Sequence, residues 1–89
     1  MEEYKQWLNK AEDDLLWTKN SLNGKIWYGA CFSAQQAAEK ALKGYLISYE
    51  KPLRKIHAYE EIDKYTQEQA HEAYEHAAKV VEFVKSKLK

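Results

Sequence analysis

Eighty-nine residues provide for one hydrophobic core and leave no room for a second. With 45% hydrophobic and 31% charged residues, the composition is that of a globular chain and excludes intrinsic disorder. Fourteen Lys and Arg balance fourteen Asp and Glu, so whole-molecule attraction to nucleic acid or an anionic membrane is not predicted, and a local patch is left open.

A first helix is predicted over residues 2–22. Tyr4, Leu8, Ala11, Leu15 and Leu22 recur at three-to-four spacing with Trp7 alongside, while Glu12, Asp13, Lys19 and Asn20 fall mostly elsewhere on the circumference. Asn23-Gly24 ends it, with Gly24 suited to the left-handed cap conformation.

The second helix is predicted over residues 26–50, a span of about 37 Å. Cys31, Ala34, Ala38, Leu42, Tyr45 and Tyr49 form one stripe, and Ala30, Ala37 and Ala41 widen it. A seam of alanines lets two helix axes approach closely, which marks this helix as the central one. Lys51-Pro52 breaks the pattern, residues 51–56 read as a loop, and a brief helical turn is expected over residues 57–65.

The last helix begins behind Thr66. Thr66-Gln67-Glu68-Gln69 matches a capping box, in which the threonine hydroxyl and the Gln69 side chain satisfy orphan amides reciprocally. Ala70, Ala73, Ala77, Val80, Val81, Val84 and Leu88 keep helical spacing, and Lys85, Lys87 and Lys89 sit where the macrodipole favours cations. The expected fold is an all-α, antiparallel bundle of three long helices plus one short one, filling residues 1–89 as a single domain. A bundle this small buries only about 60–65% of its extended surface, so pairing with a second copy is expected to supplement it. The acidic, polar N-terminus shows no signal peptide and no apolar run reaches the roughly 20 residues that span a bilayer, so a cytoplasmic location is expected.

The stretch Ala30-Cys31-Phe32-Ser33-Ala34-Gln35-Gln36-Ala37-Ala38-Glu39-Lys40-Ala41-Leu42-Lys43-Gly44-Tyr45-Leu46 resembles the signature of HEPN domains, small helical modules of prokaryotic toxin–antitoxin and defence systems. Trp7-Leu8, Ala11 and Asp14-Leu15 match the family's first-helix pattern, and Lys55-Ile56-His57 stands where a Lys-x-His step opens the third helix. The chain departs from the pattern at Ala58-Tyr59, where the family usually has Asp-Leu, and in the shortness of the stretch before Thr66. The resemblance implies a homodimeric interaction module. It also implies a minimal nucleotidyltransferase partner, or a bound nucleotide or RNA, and no cofactor.

Many members of that family are metal-independent ribonucleases, with a His four to six residues after an Arg. Here the sole arginine, Arg54, is followed by His57 only three positions on, so the motif is absent and a ribonuclease toxin is the alternative reading. The residues singled out for ligand binding are Gln36, Lys40, Lys43, Arg54, Lys55 and His57. On the second helix, Gln36, Glu39, Lys40 and Lys43 form one polar stripe, which serves a ligand or partner, forms a solvated Glu39–Lys43 helix pair, or fixes helix packing as a partly buried polar cluster. Lys51, Arg54, Lys55 and His57 make a compact basic loop able to hold a phosphate. His71 and His76, five apart, diverge by about 140° on a helix and do not suit a metal. Cys31 reads as an inert core thiol. Three tryptophans and seven tyrosines exceed what the stripes can bury, and Trp17, Trp27 and Tyr28 around the first turn are expected at an interface.

Overall fold

Helix α1 covers Glu3–Asn23, α2 covers Trp27–Ser48 and α3 covers Gln67–Lys87 in a computed structural model that describes residues 3–48 and 66–88. The short helical turn expected over residues 57–65 lies outside the described residues, as do Tyr49 and the last residues of the predicted second helix.

The turn between α1 and α2 closes as a Schellman motif. The amide of Ile26 donates to Ser21 O at 2.8 Å and that of Lys25 to Leu22 O at 3.0 Å, which satisfies two orphan carbonyls at the end of α1. The left-handed residue is Lys25, at φ 59, and no glycine has positive φ among the described residues. Gly24 therefore does not take the conformation expected of it. The motif places its left-handed position one residue later, on the residue whose amide makes the inner bond.

The cap of α3 is as expected. Gln69 N donates to Thr66 Oγ1 at 3.1 Å and Thr66 N to Gln69 Oε1 at 2.9 Å.

Direction follows from contacts. Tyr4 and Trp7, early in α1, lie against Gly44, late in α2, while Thr18 meets Ser33, so α1 and α2 are antiparallel. Lys85, late in α3, pairs with Glu12 of α1 at 2.7 Å. Trp27 packs near His71 and Tyr45 near Phe83, which brings the starts of α2 and α3 together and likewise their ends. The antiparallel pairings are thus those of α1, and α2 and α3 run in the same sense.

The core is built from small side chains. Ala11, Ala34, Ala37, Ala41, Ala77, Val81 and Val84 form the buried cluster, with Leu8, Leu15, Leu42, Tyr45, Val80 and Leu88 packed half-buried around it. On α2 the centre of the buried stripe is Ala30, Ala34, Ala37, Ala41 and Gly44. Cys31, Ala38, Leu42 and Tyr45 lie at its half-buried margin. Among the described residues the largest fully buried side chains are Val84 and Thr18. Such a seam allows close helix approach, and Gly44 takes it furthest: a Cβ there would stand 3.0 Å from Tyr4 O and 3.1 Å from Trp7 Cβ.

Candidate functional site

Three of the six predicted ligand residues, Gln36, Lys40 and Lys43, fall in the described part of the chain, while Arg54, Lys55 and His57 lie outside it. All three sit half-buried on α2, on the flank turned toward α1.

Lys40 reaches across to α1. Its Nζ lies 2.7 Å from Asp14 Oδ2, with the two side chains 28% and 17% exposed. That oxygen is buried and meets no hydrogen-bond donor in good geometry, so the ammonium is what compensates it. Asp14 and Lys40 belong to the two most distinctive segments of the chain, and the structure joins them to each other. The contact ties α1 to α2 and corresponds to a partly buried polar cluster that fixes packing.

One turn away along the same seam lies a hydroxyl pair. Thr18, fully buried, places its Oγ1 2.7 Å from Ser33 Oγ. Thr18 Oγ1 also lies 2.9 Å from Asp14 O and Ser33 Oγ 2.8 Å from Gly29 O, each able to donate there. Ser33 Oγ lies 3.3 Å from Ala30 O as well, so two hydroxyl protons serve four contacts, and whichever hydroxyl donates to the other gives up its own carbonyl. The carbonyls keep their helical bonds, which makes this sharing inexpensive. Neither residue is singled out by sequence reasoning, because a threonine and a serine inside amphipathic helices carry no signal of facing one another.

Lys43 does not pair with Glu39. Its ammonium stands 4.1 Å from the centroid of the Trp7 ring, and Lys10 Nζ lies 5.2 Å from the same centroid. Glu39 instead accepts a 3.3 Å hydrogen bond from Gln35 Nε2. The expected i, i+4 helix pair is thus replaced because Gly44 lets Trp7 come close enough to α2 for its π-face to attract the lysine. Two cations thus converge on one indole, with no carboxylate pairing either among the described residues.

His71 and His76 are exposed, and no group of three or more potential metal ligands occurs among the described residues. The His71 ring lies 6.5 Å from that of Trp27. Cys31 is half-buried, and burial raises its thiol pKa above the ordinary 9.0, which disfavours the nucleophilic thiolate. A shallow cleft at the start of α3, lined by Thr66, Glu68, His71, Glu72 and Glu75, is acidic and unsuited to an anion. No helix among the described residues is long and apolar enough to cross a membrane.

The surplus aromatics lie outside. Trp17 and Tyr28 are exposed, together with Leu16, Ile26, Phe32 and Phe83, while Trp27 is half-buried.

Comparison with known proteins agrees with this architecture. The family model described as HEPN domain matches residues 4–62. The crystal structure of an archaeal HEPN homologue superposes with a TM-score of 0.87 over 100% of both chains, at 24% sequence identity, which speaks to the fold. No curated protein matches the chain.

Proposed function

The chain belongs to the HEPN domain family, and on that premise we propose that it is a helical interaction module that works as a homodimer. The observation that supports this most is a mismatch of side-chain sizes. Among the described residues nothing larger than valine or threonine is fully buried, while Trp17, Tyr28, Phe32 and Phe83 stand exposed. Large aromatic groups carry most of a protein's contact energy, so a chain that keeps them on its surface spends them on contacts with another molecule. Light scattering at micromolar concentration tests the reading: the mass should be twice the 10.5 kDa of the chain, and a monomeric mass overturns it. By resemblance, the dimer's cognate protein is a minimal nucleotidyltransferase of a toxin–antitoxin or defence pair.

A second reading, a nucleotide or other phosphate ligand, is favoured by the convergence of Lys10 and Lys43 on Trp7. Those ammonium groups would meet the phosphate at the α2 end that leads toward Arg54, Lys55 and His57. Gln36 stands farther along the seam, and Lys40 is engaged with Asp14. Titration of ATP at low and moderate salt should give binding that weakens steeply with salt, as when several cations neutralise phosphates. Loss on Lys43→Ala supports the reading; absence of binding at low salt, or indifference to that substitution, refutes it.

A further inference from the structure

We propose that a second copy of this chain docks on the outer face shared by α1 and α2 at their joined end, with Trp17, Ile26, Tyr28 and Phe32 meeting their counterparts across a two-fold axis. The inference rests on the homodimer reading and names the surface that reading requires.

Placement comes first. Thr18 and Ser33 touch across the antiparallel helix pair. Trp17 and Phe32 each precede one of these residues by a single position, a rotation of about 100° on each helix. For antiparallel neighbours the two rotations carry both side chains to the same side of the pair. Tyr28, one turn before Phe32, follows the same flank, and Ile26 lies in the turn that joins the helices. Leu16 is rotated a further 100° and points away from α2, while Phe83 sits on α3 against Tyr45. Trp17, Tyr28 and Phe32 therefore form one surface, distinct from the other exposed apolar groups, with Ile26 in the adjoining turn.

Area comes next. Trp17 is 65% exposed, Ile26 58%, Tyr28 57% and Phe32 47%. With aromatic side chains presenting about 150–250 Å² each, the four offer roughly 450–500 Å². Two copies then remove about 1,000 Å² from water before any surrounding atom is counted, which reaches the threshold of a specific interface. The contiguous apolar area is also at the upper end of what a monomer leaves uncovered.

Chemistry commits the occupant. From Ile26 to Ala38 the chain contains no Asp, Glu, Lys, Arg or His, the longest such stretch in the sequence. A partner of opposite charge would find nothing to pair with at the centre of this face. A second copy brings the same uncharged aromatic centre and satisfies the self-complementarity that a two-fold contact demands. Charges return at its edges, at Asp13 one turn before Trp17 on α1, at Lys25 in the turn and at Glu39 on α2, as the polar rim of an interface requires.

The experiment is sedimentation equilibrium on the full chain and on Trp17→Glu, Phe32→Gln and Phe83→Glu, with circular dichroism to verify folding. All three positions are exposed, so the substitutions spare the core. Trp17→Glu and Phe32→Gln should each weaken dimerisation by at least about 30-fold, as loss of a central anchor does, and Phe83→Glu should leave it unchanged. A dimer that survives both patch substitutions, or that Phe83→Glu dissociates instead, overturns the face assignment while the homodimer reading stands. A wild-type chain that is monomeric throughout overturns both.

Discussion

Lys40→Met removes the ammonium from the Asp14–Lys40 contact while retaining most of the aliphatic stem. What remains is a carboxylate whose Oδ2 is buried and has lost its counter-charge. Breaking a fully buried pair from one side costs about 3–5 kcal/mol, and an exposed pair is worth about 0–1 kcal/mol. With side chains 17% and 28% exposed, this pair lies between those limits, so the substitution should destabilise by about 1–3 kcal/mol. In a domain of this size that lowers the melting temperature by roughly 5–15 °C. Asp14→Asn should cost less, because the freed lysine can turn its head to water. The double variant Asp14→Asn, Lys40→Met should recover most of the loss, since replacing both partners leaves no uncompensated charge. Urea unfolding of all four chains, followed by circular dichroism at one fixed protein concentration, gives the coupling energy directly. If Lys40→Met unfolds with the wild type and the substitutions prove additive, the contact carries no stability, and Lys40 is released for a ligand.

Other consequences are equally specific. Lys25→Gly should stabilise by about 0.5–1 kcal/mol, because the left-handed position at φ 59 strains a residue with a Cβ more than glycine's extra chain entropy costs; an unchanged or lower urea midpoint would refute it. Gly44→Ala should destabilise by about 1 kcal/mol despite the better helix propensity of alanine, because the added methyl meets Tyr4 O at 3.0 Å and Trp7 Cβ at 3.1 Å; a higher melting temperature would contradict the packing described. Burial holds the Cys31 pKa above 9.0, so a thiol reagent at neutral pH should label the native chain more slowly than the urea-unfolded one; equal rates would place the thiol in water.

The succession of helices in this fold is legible in its sequence because helix periodicity and capping are local. The three-to-four spacing located α1, α2 and α3, and Thr66 with Gln69 marked the start of α3 to the residue. The resemblance of the segment around Gln36 to Lys43 led to the right family. What local pattern could not convey was pairing. Nothing in the spacing of Lys40 or Asp14 says that they meet, nor that Lys43 prefers Trp7 to Glu39, since both outcomes depend on how closely Gly44 lets α1 approach. The direction of α3 relative to α2 is likewise a property of packing. The left-handed residue was misplaced by one position because Asn23-Gly24 resembles a cap, whereas the hydrogen bonds put that position on Lys25.

The central claim is that the exposed aromatic face of α1 and α2 exists to be covered by a second copy. The indole N–H resonances of Trp7, Trp17 and Trp27 test this most directly when followed by NMR across a dilution series that spans dissociation. Trp17, 65% exposed in the single chain, should shift or broaden as the dimer comes apart. Trp7, covered by two lysines, and Trp27, held beside His71, should stay in place. If the mass halves on dilution while the Trp17 signal does not move, the second copy sits elsewhere and the account fails at its centre.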